Sequence, residues 1–209
     1  MAKLIVVTNE LGSFATNCYM VANTETRETI VIDPAWDAKY IFNTLEHENL
    51  KCVAIYLTHG HVDHMAALEE LVKLTGVQVY AAQDEKEVLE STKANLSEML
   101  WKPVIVTADK YLQDGDVVKV LGTELHCISV PGHTRGGMCY YFPEEKLLFS
   151  GDTLFAGSVG RSDFPTGDGA ALIENIREKL LTLPEDTIVY PGHNGHTKIK
   201  REKETNPFF

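Results

Sequence analysis

Short apolar runs, some alternating with period two and some with period 3.6, divide the chain into strands and helices over most of its length. Residues 3–8, 18–22 and 29–32 are rich in β-branched or aromatic side chains and predict three strands, with a polar turn at 23–28 between the last two. Residues 38–48 place Tyr40, Ile41 and Leu45 at helical spacing. Residues 53–57 are apolar and uncharged, as in a strand buried on both faces. Helical spacing resumes over 64–74 through Leu68, Leu71 and Val72, and 77–81 predict another strand. Residues 84–100 read as a weakly patterned helix. Residues 117–121, 124–130, 138–142 and 146–150 predict antiparallel strands that turn at Gly122 and at Pro143-Glu144-Glu145. A helix over 169–181 and a strand over 187–190 complete the pattern. Strands and helices thus alternate in two halves. Two sheets packed face to face with helices outside would bury them, and a doubly wound sheet fits the element order equally.

Composition narrows the class. With 209 residues, 44% apolar and 23% charged, the chain reads as one ordinary globular domain over 1–209. No apolar run approaches the ~20 residues that cross a bilayer, so no membrane association is expected. Residues 1–10 contain one early lysine and a very short apolar stretch, and read as a first strand rather than a signal peptide. The net charge of −11 repels phosphate backbones and argues against nucleic acid as a partner. The basic residues Lys198, Lys200, Arg201 and Lys203 are interleaved with Glu202 and Glu204. They read as a solvated terminal segment, with a local anion site as the alternative. Cys18, Cys52, Cys127 and Cys139 form no C-x-x-C pair and sit in apolar stretches. Buried free thiols suit a reducing compartment, so a cytoplasmic protein is expected.

The candidate chemistry is concentrated in Leu57-Thr58-His59-Gly60-His61-Val62-Asp63-His64-Met65. Neutral imidazoles and carboxylates are the donors that zinc, iron or manganese accept. His59 and His61 lie two apart at a strand end, where alternation sends both side chains the same way. Asp63 and His64 open the next helix and can aim at a neighbouring point. Four ligands in one loop do not complete a two-metal site. Three further candidates follow apolar strands, each directly after a glycine: His133 in Val130-Pro131-Gly132-His133, Asp152 in Ser150-Gly151-Asp152, and His193 in Tyr190-Pro191-Gly192-His193. Glycine lets the backbone turn sharply there and approach other loops. Of the remaining histidines, His47 reads as solvated and His126 as surface or supporting. His196, three residues past His193, could lie near the site.

Thr58-His59-x-His61-x-Asp63-His64, Pro131-Gly132-His133-Thr134, Ser150-Gly151-Asp152-Thr153-Leu154-Phe155 and Pro191-Gly192-His193 resemble the motif series of the metallo-β-lactamase superfamily. Within it the chain is most similar to small bacterial glyoxalase II-like hydrolases. The supporting segments are Thr16-Asn17-Cys18-Tyr19, Val31-Ile32-Asp33-Pro34, the run from Leu154 through Gly160-Arg161-Ser162-Asp163, and Arg201-Glu202-Lys203-x-x-Asn206-Pro207-Phe208. The resemblance implies an αβ/βα four-layer sandwich. It implies two metal ions, zinc with iron or manganese as alternatives. His59, His61 and His133 would hold one ion and Asp63, His64 and His193 the other, with Asp152 bridging. Asp63 and Asp152 are the implied catalytic residues, and a metal-bound hydroxide would attack a small thioester such as an S-acyl-glutathione. Arg161 is the candidate contact to an anionic part of the substrate. Three departures stand out: Ala35 after Asp33-Pro34, Asn194-Gly195 after the last histidine, and no C-terminal helical domain such as full-length glyoxalase II carries. Rival readings within the fold are a persulfide dioxygenase with one iron on His59, His133 and Asp152, and a lactone or other ester hydrolase.

Overall fold

The computed structural model describes residues 3–209; Met1 and Ala2, the start of the segment read as a strand, lie outside the described residues. One sheet runs β1 (Leu4–Leu11), β2 (Thr16–Asn23), β3 (Glu28–Ile32), β4 (Lys51–Tyr56), β5 (Gln78–Ala82), β6 (Lys110–Leu112), in that spatial order. It is antiparallel from β1 to β3 and parallel from β3 to β6. The second sheet uses β7 (Val117–Val120), β8 (Thr123–Ser129), β9 (Met138–Phe142), β10 (Leu147–Gly151), β13 (Ile188–Pro191) and β14 (Thr197–Lys198), in the order β14-β13-β10-β9-β8-β7. Between β10 and β13 lies a small hairpin of β11 (Leu154–Phe155) and β12 (Ser158–Val159).

Alternation along single strands shows the layers. On β2, Tyr19 and Val21 pack into a cluster with Tyr140, Phe142 and Phe149 of the opposite sheet, while Cys18, Met20 and Ala22 pack with Ile41, Leu45, Leu68 and Leu71. On β9, Met138, Tyr140 and Phe142 face the first sheet, while Cys139 and Tyr141 face Leu172, Ile176 and Leu180. Strands buried on both faces therefore stand between two outer helical layers. Helices α1 (Ala38–His47) and α3 (Leu68–Thr75) cover the first sheet. Helix α6 (Gly169–Asn175), continued by a π-type turn over Ile176–Leu180, covers the second. The expected four-layer αβ/βα sandwich is the fold.

Local chemistry sets the helix ends. The Asp37 carboxylate accepts from Tyr40 N at 3.0 Å to cap α1, and Asp168 accepts from Ala171 N at 3.0 Å to cap α6. Two stretches depart from the sequence expectation. The helix read over 64–74 is split into α2 (Val62–Met65) and α3. The helix read over 84–100 is a short 3₁₀ turn at Gln83–Glu85, then α4 (Lys86–Leu89), turns, and α5 (Ser97–Leu100). Asn95 breaks it: its side chain donates to Val104 O at 2.8 Å and accepts from Ser97 N at 2.9 Å, and its carbonyl accepts from Val62 N at 2.9 Å. Such side-chain bonds to backbone groups compete with helical pairing. Strands β6, β11, β12 and β14 were not legible as strands.

The basic terminal segment folds as α7 (Ile199–Thr205). Lys200 and Lys203 are solvated, as expected, and lie 4.0 Å from Glu204 and 3.8 Å from Glu185. Glu202, by contrast, is fully buried. It accepts from Gly157 N, Thr197 Oγ1 and Asn206 Nδ2, which ties the C-terminal helix to the turn between β11 and β12.

Candidate metal centre

The four ligand-bearing segments leave the ends of β4, β8, β10 and β13, all on one edge of the sandwich. Two glycines before ligands take backbone conformations unfavourable to other residues, Gly132 at φ +141° and Gly151 at φ +50°. Gly192 has a different role. A Cβ there would lie 2.2 Å from Asp152 Oδ1 and 2.6 Å from His64 Cε1, so only glycine admits this approach.

All seven side chains named from the sequence come together. The ligand atoms of His59, His61 and His133 lie within 4.8 Å of one another, as do those of His59, His64 and Asp152, and those of Asp63, His64 and His193. His61 Nδ1 stands 3.1 Å from His59 Nε2 and 3.0 Å from His133 Nε2. Asp152 lies between the groups: Oδ1 is 3.4 Å from His64 Nε2, and Oδ2 is 3.6 Å from His133 Nε2 and 3.5 Å from His193 Nε2. His193 Nε2 is 3.3 Å from Asp63 Oδ2, so Asn194-Gly195 has not displaced this histidine.

The surrounding hydrogen bonds fix which nitrogen of each ring faces inward. His59 Nδ1 donates to Thr58 Oγ1 at 3.1 Å, and that hydroxyl donates to Asp33 Oδ2 at 2.6 Å. His64 Nδ1 donates to the same Asp33 oxygen at 2.9 Å. His133 Nδ1 donates to the Arg161 carbonyl at 2.7 Å, and His193 Nδ1 to the Phe14 carbonyl at 3.1 Å. Each of these four rings keeps Nε2 free on the inner side, the arrangement by which outer hydrogen bonds orient ligand histidines. His64 Nε2 and Asp152 Oδ1 are buried and without a hydrogen-bond partner. Buried polar atoms without partners are costly unless something binds them, and imidazole nitrogen with carboxylate oxygen is a donor set that divalent zinc or iron accepts. The residues present therefore fit metal ions.

Electrostatics divides the cluster. Burial holds His59 and His61 well below the ordinary histidine range, His61 at about 3, with neighbouring imidazoles adding to the effect; burial also lowers His133. These three are neutral at pH 7, the state that ligates. Burial would lower His64 and His193 too, but the Asp152 and Asp63 carboxylates outweigh it, raising His64 well above its usual value and His193 to about 9. Burial raises Asp63 and Asp152 in turn, and the facing imidazoles more than compensate, leaving Asp63 at about 2 and Asp152 well below the carboxylate range. One half of the site is thus a neutral imidazole group; in the other, His64 and His193 would release a proton on binding a metal ion while the carboxylates stay ionised. No thiol competes as nucleophile: burial pushes Cys52, Cys127 and Cys139 up to about 12 and Cys18 higher still.

A model of the metallo-beta-lactamase superfamily matches residues 11–193. The chain belongs to that superfamily. Hydroxyacylglutathione hydrolase GloC of Haemophilus influenzae is 34% identical over 199 residues, covering 94% of this chain and 93% of that protein. Among metallo-β-lactamase-fold structures, the BLEG-1 B3 metallo-beta-lactamase superposes with a TM-score of 0.93 at 35% identity over 98% of this chain and 99% of that one. TTHA1623 in a di-iron-bound form gives 0.87 at 34% identity over 98% and 100%.

Residues beyond the seven candidate ligands support the site. Thr16, Asn17 and Tyr19 anchor the last histidine loop. Thr16 Oγ1 donates to Asp63 Oδ2 at 3.0 Å, Asn17 Nδ2 to the Pro191 and Asn194 carbonyls at 2.9 Å each, and Tyr19 OH to Pro191 O at 2.6 Å. Glu85 was missed altogether. It is buried, and its carboxyl accepts from Gly60 N at 2.8 Å, Thr134 Oγ1 at 2.9 Å and Gly136 N at 2.8 Å. It thereby joins the loop carrying His59 and His61 to the loop carrying His133. Its only sequence signal is an acidic residue just past the apolar strand 77–81.

Glu85→Gln should weaken metal binding about 10- to 100-fold, the usual cost of removing an outer-shell partner, measured by chelator competition. All three partners of Glu85 donate, so an amide NH₂ must face a donor. Burial also raises the Glu85 carboxyl to about 7. The folded state then holds a proton that the unfolded chain releases near 4.5, so this group's stabilisation is complete below 4.5 and lost as pH rises through about 7. In metal-free protein, the stability difference between wild type and Glu85→Gln should therefore fall across that window, by at most roughly 3 kcal/mol, in urea titrations at successive pH values.

Proposed function

We propose that this protein is a two-metal hydrolase of small thioesters of the S-acyl-glutathione type. His59, His61 and His133 would hold one ion and Asp63, His64 and His193 the other, with Asp152 placed to serve both. The observation that carries the reading is the position of Asp152 between the two groups, with Oδ1 toward His64 and Oδ2 toward His133 and His193. The similarity to hydroxyacylglutathione hydrolase GloC over nearly the full length of both chains supports the thioester as substrate. Zinc is the proposed metal, and the di-iron form of TTHA1623 makes iron the alternative.

Two divalent ions in such a site would acidify water and stabilise the negative charge that develops on a carbonyl oxygen when its carbon is attacked. The chain supplies position. Asp33 holds a ring of each triad, His59 through Thr58 and His64 directly, and the Arg161 carbonyl holds His133. A thiolate leaving group, with a free pKa of about 8.5, departs with little help from a general acid.

Arg161 enters the proposal in a reduced role. Its guanidinium is exposed, pairs with Asp163 at 2.7 and 2.6 Å, and lies 3.9 Å over the Phe164 ring. It can meet an anionic group of the substrate only by sharing itself with Asp163, and an exposed pair of this kind is screened by salt. The direct test of the function is thiol release from a panel of S-acyl-glutathiones by zinc-loaded protein. Hydrolysis proportional to metal content supports the reading, and none with both sites filled overturns it.

A further inference from the structure

A groove of about 570 Å³ opens beside the proposed centre, lined by Lys93, Leu96, Glu98, Met99, Phe164 and Pro165. Both of its walls are fastened to ligand loops. The Phe164 ring stands edge-on to His61 with centroids 5.8 Å apart, and Arg161 covers it. The other wall is held through the bond from Val62 N, the residue after His61, to the carbonyl of Asn95. Leu96, next in the chain, is buried at φ +64°, a left-handed conformation that a leucine rarely adopts. Backbone strain of this kind persists where the surrounding structure enforces it and is concentrated at functional sites. From this turn Met99 projects into the open, 64% exposed. Lys93 and Glu98, of opposite sign, are the charged residues in its lining, and the rest offers a substrate apolar surface. Its volume is in the range of small-molecule sites. A second groove of equal volume, lined by Val53, Lys119 and residues 120–124, shares no residue with a ligand loop.

We infer that the groove between Leu96-Met99 and Phe164-Pro165 receives the uncharged hydrocarbon part of the substrate's acyl group, so that the protein prefers medium-chain acyl thioesters over short ones. This rests on the thioester reading above. Continuity with His61 favours this occupant: a chain lying against Phe164 has its carbonyl end directed to the centre. A methionine wall suits chains of varied shape, since the thioether side chain is flexible and polarisable.

The test uses the metal-loaded full chain and S-acyl-glutathiones from acetyl to decanoyl. A fully buried methylene is worth up to about fourfold in binding, and an open groove about half of that. The expected result is a rise in kcat/KM of about twofold per methylene until the groove is filled. Met99→Ser should reduce the decanoyl-to-acetyl ratio of kcat/KM about tenfold, while Val117→Ser, at an exposed position on β7 that does not line the groove, should leave that ratio unchanged. In parallel, protein labelled with ¹³C in the methyl groups of its five methionines is titrated with decanoate and with acetate. The Met99 resonance should shift with decanoate alone. Equal rates for all chain lengths, with no decanoate shift, would overturn the groove assignment and leave the hydrolase reading intact. Absence of all thioester cleavage, with a decanoate shift at Met99, would overturn the hydrolase reading while supporting the groove as an apolar-chain site. A Met99 shift that follows protein concentration and not decanoate would mean that the groove is covered by a second copy, and would overturn the inference.

Discussion

Replacement of Asp152 by alanine is expected to abolish hydrolysis, lowering kcat by about 10³-fold or more. Metal-ion catalysis contributes several kcal/mol of transition-state stabilisation, and each ~1.4 kcal/mol is tenfold in rate. Asp152 is the one carboxylate within 3.6 Å of His64, His133 and His193. Its loss removes the proposed bridge and also the charge that balances His64 and His193, whose pKa values it raises. The measurement is steady-state kcat together with metal content per chain. Near-normal turnover with both metals retained would show that Asp152 does not bridge.

Gly192→Ala should be nearly as damaging, although it changes no ligand. The added methyl would meet Asp152 Oδ1 at 2.2 Å and His64 Cε1 at 2.6 Å, closer than real Cβ contacts come, so the loop or both side chains must move. A displacement of about 1 Å in such a constellation costs on the order of 10²-fold in rate, and we expect one metal per chain to be lost. Gly195→Ala is the matched control three residues on, where a Cβ meets nothing within 4 Å. It should leave metal content and turnover within about twofold, as surface substitutions away from special contacts do. Equal metal content and rate in the two variants would contradict the assignment of the His64–Asp152–His193 region as a metal site.

The sequence announced the donors and concealed their supports. His59, His61, Asp63 and His64 stand in one short run, and His133, Asp152 and His193 each follow a strand and a glycine, so spacing alone was enough to nominate them. Most strands of the two sheets were legible as short apolar runs rich in β-branched and aromatic residues, but β2 and β9 are buried at every position, so which residue faces which layer required the structure. Glu85 and Glu202 were not legible because an isolated glutamate carries no periodic signal, and only the fold reveals that its partners are backbone N–H groups distant in sequence. The same limit explains the segment 84–100. Its composition suits a helix, but the bonds of Asn95 to Val104, Ser97 and Val62 are tertiary, and they override local propensity. The two-residue strands β11, β12 and β14 are too short to show alternation at all. The Thr16–Tyr19 motif was visible as a resemblance, but its physical function, holding the His193 loop through Pro191 and Asn194, required the structure.

As a thioester hydrolase, this centre should cleave a thioester and should not oxidise a sulfur substrate with molecular oxygen. One comparison tests it most directly: protein loaded separately with zinc and with iron, assayed for S-lactoylglutathione cleavage and for oxygen consumption with glutathione persulfide. Thiol release by the zinc form in proportion to its metal content, and no oxygen uptake by either form, is the expected result. Oxygen uptake by the iron form, with no thioester cleavage by either, would contradict it and leave the single-iron dioxygenase reading on His59, His133 and Asp152 in its place.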